Sequence, residues 1–101
     1  MWYILDENNK PVASHAMESA SWMDKNPERK AVAQEYINDV FISTVFLGLD
    51  HKNYGWLSNE TPILWETMIF GGEHDQYQER YTSYEDALKG HQTALNLVNN
   101  K

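Results

Sequence analysis

The 101-residue sequence contains no cysteine, so neither a disulfide nor a thiolate-bound metal can form, and a reducing cytoplasm suits the chain. Bases are scarce as well. Eight Lys and Arg face fifteen Asp and Glu, giving a net charge of −7. That balance disfavours unassisted binding to duplex DNA, because recognition of a phosphate backbone depends on clustered cations. No apolar run approaches the roughly 18 residues of a membrane span. The opening "MWYILDENNK" lacks the basic segment and apolar stretch of a signal peptide. Internal repeats, low-complexity tracts, a Gly-rich phosphate loop with its lysine and a nucleophile elbow are also missing. The expectation is a soluble, cytoplasmic protein with no cofactor and no membrane association.

What is present is apolar and aromatic: 42% hydrophobic residues, with four Trp, six Tyr and three Phe. A chain of this length buries roughly two-thirds of its unfolded surface, enough for one core, so residues 1–101 read as a single domain. "WYIL" predicts a first strand closed by the turn-forming "DENNKP". Val12, Ala16, Ala20 and Met23 recur at helical spacing, predicting a helix over about 13–25 with Ser14 as its cap and Pro27 beyond its end. "KAVAQEYI" and "VFISTVFLGLD" flank Asn38-Asp39, a two-residue link that tolerates positive φ, and predict a hairpin. A competing reading carries a helix from Pro27 through Ile37. "PILWETMIFGG" predicts a strand that reverses at Gly71-Gly72 into "QYQERYT". The last segment predicts a helix capped by Ser83, with Tyr84, Ala87, Leu88, His91, Leu95 and Val98 on one stripe and Gly90 weakening it. The fold class is therefore α+β: a four- to five-stranded antiparallel meander, β-α-β-β-β-β-α, with the C-terminal helix packed on one face.

The strand predicted over 40–50 is apolar on both faces, with Phe41, Val45, Leu47 and Leu49 on one and Val40, Ile42 and Phe46 on the other. Two helices are few for both faces. Either a second copy packs sheet to sheet, giving a homodimer, or the first helix and the long loop supply the cover.

Polar residues separate by topology. Asn38-Asp39 and "GGEHD" fall at one end of the meander, Asp50, His51 and the loop to Thr61 at the other, so His51 and His74 cannot share a metal within one chain. Asp50 ends its strand or caps the following turn, and beside His51 it makes a poor chelate. His91 reads as a core or edge histidine bonded to the backbone. Glu66, alone in an apolar strand, falls opposite Arg80 when counted from Gly71-Gly72, a cross-strand ion pair unless Arg80 turns to an anionic ligand. In the long loop, Tyr54 and Trp56 flank Gly55 and offer rings for stacking on a base or anchoring in a partner, or Trp56 folds back as a lid on the core.

"DVFISTVFLGLDH", "PILWETMIFGG" and "QERYTSYEDALKGH" resemble the core pattern of a small family of tailed-bacteriophage and prophage proteins with no established activity. The similarity spans about residues 28–95. "KNYGWLSNE" departs from the family's glycine- and proline-rich loop. The resemblance implies viral origin and action in the host cell cytoplasm, as an accessory that modulates or inhibits antiviral defence. The leading expectation is a non-enzymatic binding protein. It would sequester a signalling nucleotide through His51, Tyr54, Trp56 and Arg80, or occupy a host protein through its acidic surface and apolar sheet face. Alternatives are a small metal-dependent hydrolase using Asp50, His51, Glu66 or His91, and a virion assembly accessory.

Overall fold

The computed structural model describes residues 1–50 and 61–99. Its centre is an antiparallel meander of β3 (Ala31–Ile37), β4 (Val40–Phe46), β5 (Trp65–Phe70) and β6 (Gln78–Tyr81), paired in that order. The β3–β4 link is the two-residue turn expected at Asn38-Asp39, with Asn38 at φ 55°. The β5–β6 reversal begins at Gly71 and Gly72, both at positive φ, and the Gly71 N–H donates to Asp75 Oδ1 at 2.6 Å. Of residues 27–37, only the first four are helical: α2 (Pro27–Lys30) makes one turn with Pro27 at its start, and β3 follows. A bulge between Ala31 and Ala33 shifts the register of β3 once.

The N-terminal segment differs from expectation. Trp2–Leu5 (β1) pairs with Pro11–Ser14 (β2) in a separate two-stranded sheet, so Val12 lies opposite Ile4 instead of opening a helix. The helix α1 is Ala16–Lys25, and its N-cap is His15, not Ser14; His15 Nδ1 accepts from the Glu18 N–H at 3.4 Å. Asp6 organises the hairpin turn by accepting from Asn8 N–H and Lys10 N–H at 2.8 and 3.0 Å, which holds its carboxyl below the usual range. Arg29 ties α2 to this turn: its guanidinium donates to the Asp6 carbonyl and to Asn9 Oδ1, and lies over the Trp22 ring.

The strand expected over 40–50 ends at Phe46. Gly48, at φ 77°, turns the chain toward β1, where the Tyr3 N–H donates to the Gly48 carbonyl at 2.7 Å. A Cβ on Gly48 would also come within 3.0 Å of the Met23 and Ser19 side chains, so α1 sits directly against this turn.

The core lies on one side of the meander. Ile42, Thr44 and Phe46 alternate with outward residues along β4, and Trp65, Thr67 and Ile69 along β5; all six are fully buried. The helix α3 (Tyr84–Asn99), capped as expected by Ser83 Oγ on the Asp86 N–H, places Ala87, His91 and Ala94 against them. Leu88, expected on that stripe, is exposed, and Ala94 takes the inward position. Leu5 and Trp22 join the same cluster, with Trp22 edge-on to Phe46 at 5.6 Å. The hairpin, α1 and α3 thus all cover the same face of the sheet.

Gly90 has a packing role that its low helix propensity conceals. A Cβ there would lie 2.0 Å from the Tyr81 hydroxyl, because the phenol of β6 packs onto the helix backbone. Alanine would gain about 1 kcal/mol of helix propensity in an exposed helix. Here overpacking costs about 1–3 kcal/mol. Gly90→Ala is therefore expected to lower the thermal midpoint by several degrees; a raised midpoint would show that Tyr81 moves aside freely.

Candidate functional site

The other face of the meander is uncovered by any of the described elements, and the register sorts its side chains into rows. Tyr36 of β3, Phe41 of β4 and Phe70 of β5 are direct cross-strand partners and form one aromatic row. Ring centroids are 4.8 Å apart for Tyr36–Phe41 and 6.1 Å for Phe41–Phe70. Tyr36 is 72% exposed and Phe70 40%. The next row is mostly polar: Gln34 Nε2 donates to Ser43 Oγ at 2.9 Å, followed by the apolar Met68 and then Gln78. The third row runs from Ala31 through Val45 to Glu66 and Arg80. Arg80 Nε donates to Glu66 Oε2 at 2.9 Å, the pairing that counting from Gly71-Gly72 predicts, and Gln78 Nε2 donates to the same oxygen. Glu66 is the more buried partner, its side chain 13% exposed against 41% for Arg80.

The most concentrated polar chemistry lies under the opposite face. His91 Nδ1 is 2.6 Å from Thr44 Oγ1, which is 2.5 Å from Thr67 Oγ1, and His91 Nε2 is 2.8 Å from Glu35 Oε1. Ionised Glu35 can only accept, so Nε2 carries the proton. In the neutral ring Nδ1 then accepts from the Thr44 hydroxyl, which accepts from Thr67. This is the residue order of a nucleophilic relay. Thr44 and Thr67 have no exposed surface, however, so no substrate reaches either hydroxyl and the chain of bonds serves packing. His91 binds side chains from two strands where backbone bonding was expected. Glu35, Thr44 and Thr67 gave no signal in the sequence beyond their alternating positions. Near this chain, burial raises the Tyr81 phenol above its ordinary value while the neighbouring Thr67 hydroxyl opposes the rise. The Tyr81 hydroxyl still lies outside hydrogen-bond geometry and has no partner among the described residues.

The remaining candidates are dispersed. Asp50 Oδ1 accepts from the Ile63 N–H at 3.0 Å and the Asp50 N–H donates to the Met1 carbonyl, so this residue ties both ends of the long connection to β1. His51, Tyr54 and Trp56 lie outside the described residues. His74 stands in the β5–β6 turn, 3.8 Å from Glu73. Among the described residues, no three His, Asp or Glu side chains come together as a metal site, and no helix is long and apolar enough to cross a membrane. At the turn end, the two hairpin turns and the last turn of α3 enclose a cleft of about 610 Å³.

Two measurements test these assignments. Thr44→Val removes the one hydroxyl shared by His91 and Thr67 and leaves buried groups unsatisfied, a loss of about 1–3 kcal/mol in denaturant unfolding; an unchanged midpoint would contradict the network. A double-mutant cycle on Glu66→Ala and Arg80→Ala is expected to give a coupling of about 0.2–1 kcal/mol, as for a cross-strand pair. Zero coupling would free Arg80 for another role.

Comparisons of the chain with protein-family models, curated proteins and solved structures found no match.

Proposed function

We propose that the chain is a non-enzymatic binding protein that occupies a partner protein through the open face of its sheet. The observation that carries this reading is the Tyr36–Phe41–Phe70 row. Three contiguous rings lie on a face that no described element covers, and Tyr36 is the most exposed of them. Contiguous apolar surface with a polar margin is the usual form of an interaction site, and rigid aromatics supply contact area at low entropic cost. The Gln34–Ser43 bond and the Glu66–Arg80 pair provide that margin.

A protein partner fits the described residues better than a nucleotide. Arg80 is engaged by Glu66, and along β5 Phe70 lies four positions beyond Glu66, roughly 13 Å at the strand rise, so ring and cation are held apart. Self-association through the same face is the homodimer form of this reading. The resemblance to tailed-phage proteins supports a reading in which the protein acts in the host cytoplasm, where it would occupy a host factor and modulate antiviral defence.

The test is capture of proteins from a bacterial lysate by the immobilised chain and by a Tyr36→Ser/Phe70→Ser variant, with sedimentation of both to score self-association. The expected result is a partner, or a second copy, held by the parent and lost by the variant. The variant should melt within about 8 °C of the parent, as partly exposed substitutions of this kind do. An identical capture profile and identical sedimentation would overturn the reading.

A further inference from the structure

At the turn end the molecule carries a second feature, one register pair from the aromatic row. The cleft of about 610 Å³ lies within the size range of ligand pockets, roughly 300–1,000 Å³. Ile37, Val40 and Val98 line it with apolar groups, and these belong to the cluster that seals this end of the core. Its margin is acidic. Asp39 comes from the first turn and Glu73 from the second; among the described residues Asp39 makes no side-chain bond, and Glu73 is 86% exposed with His74 beside it. The last turn of α3, which contributes Val98, contains no basic residue, so its carbonyl end adds negative potential at the same place.

The cleft and the aromatic row adjoin in register from opposite faces of the sheet. Ile37 and Val40 are the last register pair of the first hairpin, and the adjoining pair, Tyr36 and Phe41, begins the aromatic row on the opposite face. A chain passing over the turn end would meet the rings first and the cleft next.

We infer that this cleft receives a basic peptide segment of the partner, an apolar residue seated on Ile37, Val40 and Val98 beside a lysine or arginine held by Asp39 and Glu73. The inference rests on the open face being a protein-binding surface and names the chemistry of what binds. Charge complementarity selects the occupant: the apolar floor alone accepts any hydrophobic side chain, whereas two carboxylates and a helix C-terminus at its mouth favour a cation with an apolar stem. An acidic or nucleotide ligand would meet the same potential as repulsion.

The probe is a fluorescein-labelled peptide of alternating leucine and lysine, blocked at both ends, titrated by anisotropy against its leucine–glutamate counterpart. Four results are decisive. Binding of the lysine peptide alone, weakened about tenfold or more by Asp39→Asn/Glu73→Gln, and unchanged in Glu7→Gln/Asp24→Asn, supports the cleft. Equal weakening by both pairs overturns it, because the peptide is then following net charge. Binding of the glutamate peptide as tightly as the lysine peptide overturns the charge selection. No binding of either peptide overturns the inference while leaving the aromatic face to be judged by the Tyr36/Phe70 variant, so the two failures are distinguishable. All the substituted residues are exposed, and a thermal melt of each variant confirms that the fold is retained.

Discussion

The docking of α3 on one side of the meander is the constraint from which the rest of the molecule follows. His91 fixes it in position, with one ring nitrogen on Glu35 of β3 and the other on Thr44 of β4, itself bonded to Thr67 of β5. Small residues let the helix come close: Ala87 and Ala94 reach the sheet directly, and Gly90 leaves room for the Tyr81 phenol. Because buried hydroxyls and an imidazole are costly to leave unsatisfied, the helix cannot slide or rotate without breaking several bonds together. The N-terminal hairpin and α1 then extend the same layer through Leu5 and Trp22.

That arrangement gives the two faces of the sheet different chemistry. Under the helix, Thr44, Thr67 and His91 are paired and buried, with Glu35 half exposed at the margin, and the bonds serve cohesion. The open face carries the aromatic rings, a mixed row of Gln34, Ser43, Met68 and Gln78, and the Glu66–Arg80 pair, with Tyr36, Phe70 and Arg80 reaching solvent. The Thr44 and Thr67 hydroxyls are buried away from solvent. Groups suited to contact are where a partner can arrive. With a net charge of −7 over the whole chain, encounter with a basic surface is favoured electrostatically before any contact is made.

Features fixed by short-range rules were legible in the sequence. Asn38 adopts the positive φ that its two-residue link requires, Ser83 caps α3, and counting from Gly71-Gly72 brings Glu66 to Arg80. Features needing more than one element were not. Pro11–Ser14 is too short for its strand period to stand out, and Val12 happens to be spaced from Ala16 and Ala20 as on a helix. The Tyr36–Phe41–Phe70 row depends on two registers at once, and the His91 network on those registers together with the rotation of α3. The cleft at the turn end draws on three segments distant in the chain. Helix propensity marks Gly90 as a weak point because nothing local to it reveals Tyr81.

The central claim is that the meander is covered on one face and open on the other, and side-chain accessibility measures this directly. Hydroxyl-radical footprinting of the intact protein at low concentration should label Tyr36 and Phe70 quickly while Phe46 and Trp65 remain protected, with protection of the first pair growing only as a partner or a second copy is added. Protection of Tyr36 and Phe70 that matches Phe46 and does not change with protein concentration would mean that the open face is closed by the chain itself, and would contradict the claim.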